Sequence, residues 1–170
     1  MKKNNIKKIT LTAVFAAIAV VGSLFSFPVF GSKCAPIQHL VNVICAVFLG
    51  PVYGVICAFV SSLIRNLMAL GTPLAFPGSM CGALLAGVLY KAVKKRWGAY
   101  LGEIAGTALL RGMLAYPVAT LILGNKEAAA FSFVVPFLIS TAAGTIIAIV
   151  VLEIMAKSGI LSILKGKLED

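Results

Sequence analysis

The sequence predicts an all-α integral membrane protein of six transmembrane helices, and three observations predict it. Of 170 residues, 61% are hydrophobic and only 12% charged, where soluble domains carry about 25% charged residues. The apolar residues gather into six runs parted by glycine and proline. The basic residues lie at the ends of these runs and mostly on one side. Mean hydropathy is +1.05, so water is not the solvent for most of this surface. The whole chain, 1–170, reads as one membrane domain with no room for a soluble one.

The runs follow in order. The first spans about 8–27 and ends at Pro28. Lys2-Lys3 and Lys7-Lys8 before it mimic a signal peptide. The run is too long for an h-region of about 7–15 residues and lacks an A-x-A site, so it is expected to stay as a first helix. The second, about 37–49, is short and closed by Gly50-Pro51; the third, about 52–70, is closed by Gly71-Thr72-Pro73. The fourth, about 78–94, is entered through Pro77-Gly78, and the fifth, about 99–123, follows Trp97-Gly98 and stops at Gly124-Asn125. The sixth, about 131–157, ends near Gly159. Glycine and proline are the expected breakers.

Charge sets the orientation. With the N-terminus inside, eleven basic residues face the cytoplasm: Lys2, Lys3, Lys7, Lys8, Lys91, Lys94, Lys95, Arg96, Lys157, Lys165 and Lys167. Only Lys33 and Lys126 face out. This positive-inside bias predicts both termini in the cytoplasm and a multi-pass protein of the cell membrane. The net charge of +10 is explained by anionic lipid and topology, not by nucleic acid. Cys34, Cys45, Cys57 and Cys81 form no C-x-x-C pair, and a thiol in an apolar run behaves as a small hydrophobe.

Two charges break the apolar runs. Arg65 lies about one turn from the outer end of the third helix and Arg111 near the middle of the fifth. A charge at the bilayer centre costs about 2.5–3.5 kcal/mol on insertion scales, so it faces a cavity or a partner. Gln38, His39 and Asn42 occupy the first turns of the second helix and share a face. The outer loop Gly71–Ser79 lies on the same side. These features converge on a small polar site open to the exterior.

Other chemistries are absent from the sequence. It holds no G-x-x-x-x-G-K-[ST] phosphate loop, so ATP is not hydrolysed by that route. Glu103 and Glu153, the only acidic residues within runs, map near the inner edge. There is no H-E-x-x-H, no metal-ligand set and a single histidine. A membrane enzyme is disfavoured. A stand-alone channel or facilitator is disfavoured by the scarcity of polar residues in the inner half.

The stretch Ser32-Lys33-Cys34-Ala35-Pro36-Ile37-Gln38-His39-Leu40-Val41-Asn42, the Gly50-Pro51 joint, Arg65-Asn66 and Gly71-Thr72-Pro73-Leu74-Ala75-Phe76-Pro77-Gly78-Ser79 resemble the ThiW family of substrate-binding (S) subunits of energy-coupling factor (ECF) transporters. The resemblance covers nearly the whole chain in length and helix count. It implies an S-component-like bundle that captures the thiamine precursor hydroxyethylthiazole, or a close thiazole derivative, at the outer face. It also implies docking on a module of two ATPase subunits and one transmembrane coupling subunit, which alone use ATP. An S subunit for another small vitamin-like compound is the alternative. The family's Ala-x-x-x-Ala docking motif matches Ala13 and Ala17, with Ala16 beside them. Small residues let helices approach closely in lipid.

Each candidate has a plainer reading. Arg65 lines the pocket or snorkels to headgroups. Arg111 binds ligand or pairs internally with Glu103, two turns away, with Thr107 between them. Gln38 and His39 suit a ring nitrogen and a hydroxyl, or are satisfied within the bundle. Asn42 and Asn66 contact ligand or tie helices together. Thr72 and Ser79 flank a loop that caps the site, and Tyr116 lines the outer half of the fifth helix. Lys33 reads as a solvated loop residue. Thr141, Gly144, Thr145 and Ala148 read as a packing stripe.

Overall fold

A computed structural model of the protein describes residues 3–29, 32–71, 73, 75–111, 121 and 134–169. Helix α1 (Lys3–Gly22) passes into a single 3-10 turn, Ser23–Phe25. A short antiparallel hairpin follows, β1 (Phe27–Val29) with β2 (Ser32–Cys34), in the register Phe27 to Cys34, Pro28 to Lys33 and Val29 to Ser32. Then come α2 (Pro36–Phe48), α3 (Pro51–Leu67), α4 (Ala75–Val93) and α5 (Arg96–Ala105), which continues as π-type turns over Gly106–Arg111. Two further helices, α6 (Val134–Lys157) and α7 (Ile160–Glu169), complete the described elements.

The Gly50-Pro51 joint holds, whereas Pro77-Gly78 and Trp97-Gly98, expected to precede the fourth and fifth helices, lie within the first turns of α4 and α5. Pro36 and Pro51 open α2 and α3 at the first helical turn, where a missing N–H costs nothing. Gly50 stands at φ +80 between them, a backbone region that glycine tolerates best. The first helix starts five residues earlier than expected and stops earlier too. Phe27 precedes a proline and is pushed to extended backbone, which starts the hairpin instead of a last helical turn. Chain reversal at Gly159, φ +75, is followed by a helix that the hydropathy pattern did not suggest. Its ten residues are too few and too charged to register as an apolar run.

Helix α1 with its 3-10 turn (Asn4–Phe25), α4 and α6 are long and apolar enough to cross a membrane. Helices α2 and α3 have 13 and 17 residues, about 20 and 25 Å at 1.5 Å per residue, short of a hydrocarbon core of about 30 Å. The fifth expected run is described over 99–111 and at Leu121.

The bundle is built inside out relative to a soluble protein. Val21, Leu67, Ile146 and Ile154 are exposed, while Ala19, Ala58, Ala83, Ala86, Ala99 and Ala148 are buried. Polar side chains fill the interior beside them, among them Gln38, Asn42, Ser61, Glu103 and Thr107. Small residues permit this closeness. On α5, Gly102 and Gly106 meet the α4 backbone: a Cβ would stand 2.5 Å from the Leu85 carbonyl oxygen and 2.6 Å from that of Cys81. On α6, a Cβ at Gly144 would stand 2.7 Å from the His39 Cβ. Thr141, Thr145 and Ala148 on the same stripe are buried, so this face packs as expected.

Candidate functional site

Helix α2 carries the site between α3, α4, α5 and α6. Gln38, His39 and Asn42 share one buried face, as their spacing of three and four requires. Arg65 sits in the last turn of α3, only 4% exposed. The chain after it folds back, and the Leu70 and Gly71 amides donate to the Arg65 carbonyl at 2.8 and 3.0 Å. Ala69, at φ +56, makes the left-handed turn that a helix end of this kind needs.

A continuous hydrogen-bonded chain runs from Arg65 to Glu103. The Arg65 Nη1 donates to Gln38 Oε1 at 3.2 Å. Gln38 Nε2 donates to Asn42 Oδ1 at 3.2 Å and to Ser61 Oγ at 3.1 Å. Asn42 Nδ2 donates to Glu103 Oε1 at 3.0 Å and to the Ser79 carbonyl at 3.2 Å. The same Glu103 oxygen accepts from His39 Nδ1 at 2.8 Å and from Thr107 Oγ1 at 3.1 Å. A carboxylate only accepts, so this bond puts a proton on Nδ1 and fixes the ring. Ser79 joins from α4: its hydroxyl donates to the Ala75 carbonyl at 2.9 Å and lies 2.8 Å from the Ser62 hydroxyl.

Glu103 is a site residue that sequence reading did not identify. Its carboxylate reaches into the α2 cluster and is fully buried. The signal was present but faint: Gly98, Gly102 and Gly106 repeat at every fourth residue. That stripe draws α5 onto α4 and leaves Glu103 space against Gly82, where a Cβ would come within 2.7 Å of Glu103 Oε2. Ser61, Ser62 and Ser140 were missed too, since serine in a membrane helix carries no distinctive pattern.

A small cavity opens above this network, lined by Lys33, Gln38, His39, Arg65, Ser79 and Ser140 with Ala35 and Ala75. Its volume of about 10 Å³ is room for about one water. Lys33, read as a solvated loop residue, is exposed and still borders the cavity from β2. The hairpin end is pinned there: Cys34 Sγ reaches the Pro136 carbonyl at 3.3 Å and the Ala35 amide donates to Ser140 Oγ at 3.0 Å. Among the described residues no carboxylate pairs with Arg65, and its Nε has no hydrogen-bond partner.

The remaining candidates divide. Asn66 lies away from the cavity and donates to the Ser62 carbonyl of its own helix at 2.8 Å, because one step along a helix turns a side chain by about 100°. Thr72 and Tyr116 lie outside the described residues, as does the Arg111 side chain. Ala13 and Ala17 are exposed on α1, whereas Ala16 is 3% exposed and packed into the bundle. Phe76 pairs with Phe59 at 5.8 Å between ring centres.

The chain's three-dimensional likeness is to the S component of a bacterial ECF transporter, with a TM-score of 0.73 and 20% identity over 90% of this chain and 97% of that one. At that identity the likeness concerns the fold, an S-component-like helical bundle. No curated protein sequence matches this chain. The family model for the thiamine-precursor transporter protein ThiW matches residues 9–158. With its apolar exterior and buried polar site, this chain belongs to the ThiW family and is a transport protein, not an enzyme.

Proposed function

We propose that the chain is the substrate-binding subunit of an ECF importer. It spans a prokaryotic cell membrane six times, with both termini in the cytoplasm. It captures hydroxyethylthiazole, or a close thiazole derivative, from outside. A separate module of two ATPase subunits and one transmembrane coupling subunit energises release. Family membership and fold support this assembly.

One observation carries the site: Arg65, buried, without a carboxylate partner among the described residues, at the wall of a polar cavity. A guanidinium in such surroundings is stabilised by an acceptor, most strongly by an anion. The ligand's hydroxyl or phosphate therefore meets Arg65. Gln38 and His39 hold the heterocycle, and the Glu103 bond to Nδ1 keeps the His39 ring from turning. Thr72, Arg111 and Tyr116 complete the site in this proposal. Asn42 acts from behind, holding Gln38 and Glu103 in place, and Ser79 borders the cavity. Docking falls to Ala13 and Ala17, the two alanines of α1 that are exposed.

Calorimetric titration of the purified chain with hydroxyethylthiazole, its phosphate and thiamine tests the reading, repeated with Arg65→Ala. One thiazole binds, and the variant weakens it about ten- to hundredfold, the worth of a charge-assisted hydrogen bond. A preference for the phosphate identifies the anion as the group that Arg65 receives. Failure of every thiazole to bind removes the cargo, and binding unchanged by Arg65→Ala removes the site.

A further inference from the structure

At the end of the bundle opposite this site, Lys8 of α1, Lys91 and Lys94 of α4 and Lys165 of α7 border one basin of about 310 Å³. Lys165 is engaged: its ammonium donates to the Tyr90 hydroxyl and stands 4.7 Å from the centre of that ring. Lys8, Lys91 and Lys94 have no ion pair or side-chain hydrogen bond to another described residue. Three like charges around one hollow repel one another and favour an anion between them.

The floor of this basin is apolar, formed by Val47, Phe48 and Leu168. Phe48 and Leu168 also border a second hollow, an apolar groove of about 600 Å³. It follows α1 from Lys7 past Leu11 to Val14 and Phe15, with Ile44 on its far wall. Seven residues of helix carry it about 10 Å away from the lysines. Lys7, at its mouth, is already satisfied, donating to the Lys167 carbonyl at 2.7 Å. A basic hollow and an apolar groove therefore share a wall.

We infer that this pair of hollows holds one anionic glycerophospholipid, its phosphate among Lys8, Lys91 and Lys94 and one acyl chain in the groove beside α1. The inference rests on the membrane reading proposed above, which sets these lysines at a headgroup layer. Basic pockets between helices at that level recognise anionic headgroups. A free phosphate leaves the groove unfilled. A zwitterionic lipid brings its own ammonium against three lysines. The bound lipid bridges α1, α4 and α7, the elements that frame the base of the bundle.

Native mass spectrometry of the full chain, released from micelles with equal phosphatidylglycerol and phosphatidylcholine of identical chains, reads occupancy directly. Phosphatidylglycerol is retained in preference. Each of Lys8→Gln, Lys91→Gln and Lys94→Gln lowers its retention about fivefold and the triple variant about a hundredfold, at about 1 kcal/mol per charge. The triple Lys→Arg variant keeps the preference, and Val14→Trp, which fills the groove, abolishes it. Equal retention of phosphatidylcholine overturns the proposal, as does a triple Gln variant that holds phosphatidylglycerol like the parent. Displacement of the lipid by inorganic phosphate at equal concentration assigns the basin to a free anion and overturns it too. Thiazole titration of the same samples separates the two readings, since selective lipid retention without thiazole binding refutes only the proposed cargo.

Discussion

Replacing Glu103 by leucine removes one oxygen that accepts from three buried donors, His39 Nδ1, Asn42 Nδ2 and Thr107 Oγ1. The losses are unequal. Asn42 keeps the Ser79 carbonyl, and Thr107 can turn its hydroxyl to a carbonyl of its own helix. His39, 1% exposed, loses the partner of its Nδ1 proton. An orphaned buried donor costs about 1–3 kcal/mol. The expected cost of Glu103→Leu is therefore about 1–3 kcal/mol, while Glu103→Gln, which keeps an acceptor, costs less. Adding His39→Leu to Glu103→Leu removes both partners and costs less than the sum of the single changes. Unfolding in mixed micelles of rising SDS fraction, read from the single tryptophan, Trp97, measures each variant. A Glu103→Leu protein that unfolds at the parent's SDS fraction, or a double variant whose cost equals the sum, refutes the His39–Glu103 hydrogen bond as the keystone of the site.

Other substitutions probe other parts of the molecule. Gly144→Ala drives a methyl group against His39 and the Pro36 carbonyl; it destabilises by about 1–3 kcal/mol and weakens thiazole binding, both measurable by the same unfolding and titration. Ala13→Leu with Ala17→Leu abolishes uptake in cells carrying the energising module while titrated binding is unchanged; retained uptake counts against docking on this face. Ala16→Leu instead lowers stability by about 1–3 kcal/mol, since that side chain is buried. Arg96 and Glu153 form a two-pronged pair at 2.9 and 2.8 Å, yet they are 35% and 40% exposed. Arg96→Gln accordingly changes the unfolding free energy by less than about 1 kcal/mol.

Patterns confined to one helix were legible in the sequence. Gln38, His39 and Asn42 share a face because their spacing fixes it, and Pro36, Gly50 and Pro51 mark helix boundaries because their backbones permit little else. Arg65 announced itself by being charged in an apolar run. What failed to show depends on which helices meet. The hydrogen bond of His39 with Glu103 joins residues 64 apart in sequence, and no periodicity links them. Asn66, adjacent to Arg65, was a candidate as well, yet one helical step turns it toward the Ser62 carbonyl. Ala13 and Ala17 stand apart from Ala16 for the same reason. The terminal helix escaped notice because its short apolar start, Ile160 to Leu164, runs straight into Lys165, Lys167 and Glu169, a pattern that hydropathy averaging erases.

A cavity of about 10 Å³ walled by Arg65, Gln38 and Ser140 has a kinetic meaning for the binding role proposed above. A ligand larger than a water enters there only as this wall parts, so it meets the site during excursions of the bundle. Capture then saturates at the rate of those excursions, however much ligand is supplied. The affinity read at equilibrium is that of the parted site multiplied by the fraction of time it stands parted. Escape needs the same excursion, so a bound molecule is retained for as long as the wall stays shut.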